Sequence, residues 1–98
     1  VLHLDGIRAG PNPTRAGTDF AFVLDVPAEV ELRLFSVDGR QVYRSRQYHD
    51  GLRRGFVSWN GKGTDGRPVA SGVYLYRLGV HPAGAPLQEF TGKLAVLR

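Results

Sequence analysis

Stretches in which apolar and polar residues alternate one for one, each closed by turn-forming residues, constrain this 98-residue chain more than any other feature. Successive side chains of a strand point to opposite faces, so such alternation describes a strand with one buried and one wet face. Over 19–26, Phe20, Phe22, Leu24 and Val26 share one face. Pro27 and Ala28 break that run, after which Val30, Leu32 and Leu34 point inward while Glu31 and Arg33 point outward. Asp38 and Gly39 then supply the pair suited to a two-residue hairpin turn. After a turn at Asp50 and Gly51, a short strand is predicted over 56–59, and another over 73–80 with Tyr74, Tyr76, Leu78 and Val80 on one side. The last runs over 87–97, with Gly92 marking a bulge. With a first strand over 2–8, the chain holds seven strands at spacings of roughly 8 to 15 residues, the pattern of an all-β antiparallel sandwich.

Two segments depart from clean alternation. Over 40–49, Val42, Arg44, Arg46 and Tyr48 lie on one face and Gln41, Tyr43, Ser45 and Gln47 on the other. Neither face is fully apolar, which places this strand at a sheet edge, where charge discourages pairing with other molecules. The other segment is the long connection between Trp59 and Tyr76, which carries Asn60-Gly61, Asp65-Gly66 and Ser71-Gly72. In each pair a polar side chain can bond nearby backbone while glycine takes positive φ. Trp59 is expected in the core, and Tyr74 and Tyr76 in core packing or a corner hydrogen bond.

Thirteen glycines and six prolines favour turns over long helices, and 42% hydrophobic against 22% charged residues is a globular balance. Cysteine is absent, which excludes disulfides, thiol catalysis and thiolate metal sites together. No apolar run approaches the ~18–20 residues of a membrane-spanning helix. The chain starts at Val1 without a methionine anywhere, so the expectation is a single domain over 1–98, excised from a larger parent protein that continues upstream of Val1.

Net charge is +4, and eleven of the thirteen basic residues are arginine. Tyr43, Arg44, Arg46, Tyr48, Arg53 and Arg54 cluster around one hairpin as a candidate recognition surface, since cations mixed with aromatics can hold nucleic acid or anionic polysaccharide. A solvated, arginine-protected edge strand is the favoured reading, and nucleic acid is not the favoured partner. Asn60 and Asp65, with Asp50 if nearby, could offer oxygens to calcium, but they are too sparse for an ion that takes six to eight. His3, His49 and His81 sit in separate segments and are expected on the surface. Ser36 and Asp38 flank a turn without a G-x-S-x-G elbow. The reading is therefore no catalysis, no cofactor and no metal.

In order along the chain come Pro11, Asn12 and Pro13, an alternating strand, LFSVDGRQV over 34–42, WNG over 59–61 and GRPVASGVY over 66–74. That order resembles the Ig-like domain of the flagellar hook-capping protein and its relatives at the C-termini of secreted bacterial proteins. The final KLAVLR over 93–98 is similar to the end of C-terminal sorting domains of the type IX secretion system. The resemblance covers residues 9–98, departing at Thr14, where relatives often carry Phe, and at Asn60, where they often carry Asp. It implies a seven-stranded Ig-like, fibronectin III-like sandwich without catalytic residues, acting outside the cytoplasm as an accessory module for secretion sorting, attachment or spacing. Secretion machinery or a cell-surface glycan would be its partner, with Lys93 and Arg98 added to the candidate surface. The alternatives are a carbohydrate-binding module using surface aromatics and an assembly domain of the hook-cap type.

Overall fold

The computed structural model describes residues 8–10, 14–24, 26–51 and 53–98. Its strands are β1 (Arg8–Gly10), β2 (Thr18–Leu24), β3 (Ala28–Ser36), β4 (Gln41–His49), β5 (Arg53–Trp59), β6 (Gly72–Pro82) and β7 (Gln88–Val96). Six of these have seven to eleven residues, whereas β1 has three. The first strand expected over 2–8 lies outside the described residues except for Arg8. All pairings between strands are antiparallel, in a three-stranded sheet of order β1-β2-β5 and a four-stranded sheet of order β4-β3-β6-β7. β4 is an edge strand, as its mixed faces predict.

The core forms where the alternating apolar faces of the two sheets meet. Phe20, Phe22 and Leu24 of β2 and Val57 and Trp59 of β5 are buried from one side. Val30, Leu32 and Leu34 of β3, Tyr74, Leu78 and Val80 of β6, and Leu94 and Val96 of β7 close it from the other. Each such side chain contributes about 1.5–3 kcal/mol relative to leaving it in water. Aromatic contacts join the sheets: Phe20 meets Tyr76 edge-on at 4.9 Å, and Tyr43 lies 6.2 Å from Trp59. Trp59 is 2% exposed, so its place in the core is as expected. Val26 is not part of that face, because β2 ends at Leu24.

Thr14 makes a parallel bridge with Val96, its N–H donating to the Ala95 carbonyl at 2.9 Å and its carbonyl accepting from Leu97 at 2.8 Å. Its buried hydroxyl accepts the Gly17 N–H at 3.0 Å and donates to the Gly17 carbonyl. A phenylalanine at this position could make neither side-chain bond.

Two turn expectations need correction. The β3–β4 connection is not a two-residue turn centred on Asp38 and Gly39. Gly39 N–H bonds the Ser36 carbonyl at 2.9 Å, so Val37 and Asp38 are the central pair and Gly39 follows at φ 89°. That arrangement is a turn followed by a left-handed residue, and the register shifts between Leu34 and Phe35 beside it. Gly92 does not mark a bulge either, since the β6–β7 register runs unbroken through Tyr76 and Gly92. A Cβ there would lie 2.4 Å from the Tyr76 ring, so the glycine instead makes room for that ring.

Gly92→Ala is therefore expected to destabilise the domain by about 1–3 kcal/mol. An unobstructed strand glycine would instead gain about 0.5–1 kcal/mol on the same change. In a Tyr76→Leu background the loss should shrink, as urea denaturation of the four variants of the cycle would show.

Candidate recognition surface

The residues that cluster in sequence around the β4 hairpin do not share one surface. Arg44, Arg46 and Tyr48 project from the outer face of the four-stranded sheet, opposite Arg33, Glu31 and Glu29 of β3 in turn. Tyr43 pairs with inward-facing Leu34 and turns its ring toward Trp59. Arg53 and Arg54 belong to β5, opposite Leu24 and Val23 in the other sheet. Lys93 is exposed on β7, opposite Leu75. Arg98 lies past the end of that strand, on the long loop.

The guanidinium groups of β4 are engaged by carboxylates. Glu31 faces outward on β3, yet its side chain is only 6% exposed. Arg33 contacts its Oε1 at 2.7 Å and Arg44 its Oε2 at 2.8 Å, while Arg46 lies 2.8 Å from Glu29 and 3.5 Å from Glu31. Burial alone would raise the Glu31 pKa, but hydrogen bonds from Arg44 and Arg33, together with their charges, outweigh it and hold the carboxyl below its ordinary value. The signal for this cluster was present in the sequence, since the hairpin register sets Arg46 opposite Glu31, with Arg44 diagonal to Glu31 and Arg46 diagonal to Glu29.

The loop over 60–71 is fastened from all sides. The Trp59 indole donates to the Lys62 carbonyl at 2.8 Å, and the Tyr74 hydroxyl to the Ala70 carbonyl at 2.7 Å. Arg98 donates from Nε to the Val69 carbonyl and from a terminal nitrogen to the Gly61 carbonyl, both at 2.6 Å, and its N–H reaches Ser71 Oγ at 3.0 Å. Asn60 and Asp65, weighed as calcium ligands, accept backbone N–H groups two residues onward, from Lys62 at 3.1 Å and Arg67 at 3.0 Å. Gly61 takes φ 80°, and a Cβ there would sit 2.9 Å from the Ala16 backbone. Sequence reasoning missed the Arg98 clasp, because nothing local to residue 98 names a loop so far back in the chain.

Between this loop and the β3–β4 turn lies a cleft of about 420 Å³, lined by Ser36, Arg40, Val42, Thr64, Arg67 and Tyr74 among others. The Ser36 hydroxyl donates to Asp38, which also accepts the Arg40 N–H, so this pair builds the turn. Those bonds hold the Asp38 carboxyl below its ordinary value. Among the described residues no three His, Asp or Glu side chains gather as a metal site. His81 is exposed on β6, and His3 lies outside the described residues. His49 is not a plain surface histidine, because its ring packs edge-on against Phe22 at 4.9 Å. Burial pushes its pKa down, opposed by the charge of Asp50.

Arg98→Ala should cost about 1–2 kcal/mol and speed amide exchange over 60–71, because two charged donors leave loop carbonyls that are partly solvated. Glu31 supplies a pH signature. Its folded pKa is depressed, so its stabilisation is fully present above the ordinary glutamate value of about 4.3 and is lost as pH falls through the lowered folded value. Glu31→Gln should lower stability at neutral pH and flatten that acid limb, read by thermal melts across pH.

No protein-family model matches the chain, and no curated protein matches it in sequence. Among solved structures its fold is similar to part of the crystal structure of dimeric latent PorU from Porphyromonas gingivalis, with a TM-score of 0.79 and 21% sequence identity. The match covers 93% of this chain but 9% of the PorU chain, so the chain spans less than a tenth of that protein's length. At that identity the likeness establishes the fold alone.

Proposed function

We propose that this chain is an Ig-like, non-catalytic accessory module at the C-terminus of a secreted bacterial protein, serving secretion sorting, surface attachment or spacing. The observation that carries the reading is the coverage: a fold spanning 93% of this chain answers to 9% of a far longer one. A unit of this shape thus occurs as one small part of a large protein. The Ig-like assignment rests on the three-plus-four strand arrangement and on Tyr74, near the start of β6, whose hydroxyl bonds the backbone four residues upstream. No described helix is long and apolar enough to cross a membrane.

In the sorting version, secretion machinery reads the folded domain and its final segment over 93–98. Lys93 and Leu97 are exposed there, the latter 55%, and Arg98 also binds the loop. A glycan platform is less well supported. Trp59 and Tyr74 are buried, and the exposed aromatics Tyr48 and Phe56 belong to different sheets.

The test fuses the domain behind a reporter enzyme in a bacterium with type IX secretion. The reporter should reach the medium with the intact domain, stay in the cell when 93–98 are deleted, and be exported less by Lys93→Ala/Leu97→Ala fusions that melt like the parent. Unchanged export after the deletion would rule out the sorting version.

A further inference from the structure

We infer that the outer face of the four-stranded sheet docks an extended protein segment carrying an apolar residue and, two positions away, a carboxylate. This goes beyond the accessory-module reading and does not depend on where in a parent protein the domain sits.

The face is built in rows across the strands. Phe35 of β3 stands opposite Leu75 of β6, which stands opposite Lys93 of β7, and this row is apolar at its centre. Leu75 is 42% exposed and its neighbour on the same face, Val73, 46%. The next row places three arginines directly across from one another, Arg44, Arg33 and Arg77. Like charges so aligned repel, so a row of this kind needs counterions. Arg33 and Arg44 share Glu31, but among the described residues the one ion pair of Arg77 is a loose contact with Glu89 at 3.7 Å, and its guanidinium lies over the Phe35 ring at 5.5 Å, with its side chain 47% exposed. Over the outward positions of β3, β4, β6 and β7, Arg33, Arg44, Arg46, Arg77 and Lys93 face only Glu29, Glu31 and Glu89 as carboxylates.

A groove of about 460 Å³ lies where the two rows meet, lined by Phe35, Leu75, Tyr76, Arg77, Thr91 and Gly92 among others. Aromatic and arginine side chains around an apolar recess are the composition of interface centres, not of ordinary surface. Neighbouring rows are two residues apart along a strand, about 6.8 Å. An extended segment running along β6 repeats that spacing on one of its own faces, so an apolar side chain fills the groove as a carboxylate two residues away reaches Arg77. The row beyond sets Arg46 against Glu31 on its β3–β4 side and Gly79 against Glu89 on its β6–β7 side, where Glu89 opposes a further carboxylate and so sets direction and length. A plain polyanion would use the charge and leave the groove unfilled, so the face selects a peptide over an anionic glycan.

The experiment titrates the isotope-labelled domain by NMR with acetyl-Phe-Ser-Asp-Ser-Ser-amide, a scrambled peptide in which Phe and Asp are adjacent, and heparin. Saturable shifts at Phe35, Leu75, Arg77 and Thr91 are expected with the first peptide, and about tenfold weaker binding for the scrambled one. Leu75→Ser and Arg77→Ala, each melting like the parent, should weaken binding by about tenfold, while Arg67→Ala on the cleft beside the long loop should leave it unchanged. Equal binding of heparin or of the scrambled peptide would overturn the inference, as would undiminished binding by both variants or no saturable shift with the first peptide.

Discussion

The chain must change sheets over 60–71, and on that crossing its backbone leaves both hydrogen-bonded ladders. Backbone donors and acceptors withdrawn from water need partners, so this crossing is the constraint on which the rest of the sandwich depends. Short local bonds meet part of the need, among them Gly63 to Arg67, Gly66 to Gly63 and Val69 to Gly61. The remaining bonds come from elements the loop must hold in register. Thr64 N–H bonds Val42 of β4 at 2.9 Å, the Trp59 indole extends from β5, the Tyr74 hydroxyl from β6, and Arg98 from beyond β7. Each core aromatic at the loop's ends has an apolar body in the sandwich and a polar tip on the loop, a division of labour open to Trp and Tyr but not to Phe. Loop and core are thereby fixed relative to each other.

The strands were legible in the sequence wherever one face is uniformly apolar. Phe20, Phe22 and Leu24, then Val30, Leu32 and Leu34, identify β2 and β3 and their inward faces, because a register slip of one residue would expose every one of them. β5 begins three residues before the expected 56–59 strand, since Arg53, Arg54 and Gly55 give no alternation to read. The turn at 37–40 escaped for a different reason. Asp-Gly marks a turn without saying which residues are central, and only the Ser36 to Gly39 bond decides. The candidate surface was the least legible part. Residues adjacent across a hairpin in sequence alternate between faces, which parts Tyr43 from Arg44, and the next turn carries Arg53 and Arg54 into the other sheet.

Departures from alternation carry what the core pattern cannot. Phe35 directly follows buried Leu34, and Val73 and Leu75 interleave with Tyr74 and Tyr76, so these stretches are apolar at both parities. A strand covered on one face needs only one parity for its core. The second apolar set faces outward, and it lies beside the one row in which three arginines meet. Glu31 shows the converse: a carboxylate on the outer face, buried by the arginines that surround it, and tolerated there because both of its oxygens are paired.

The arginines of β4 then have a role apart from recognition. Along the inner face of this edge strand, Ser45 Oγ and His49 Nε2 are buried without a hydrogen-bond partner among the described residues. Such groups each cost about 1–3 kcal/mol, so the inner face of β4 contributes less than its neighbours do. The strand is retained by its ladder with β3 and, on the outer face, by Arg44 on Glu31 and Arg46 on Glu29. An edge strand with an imperfect inner face is thus fastened from outside by ion pairs centred on one shielded carboxylate. This engages the β4 cations within the sheet and leaves Arg77, paired only loosely, as the guanidinium on this face best placed to meet a partner.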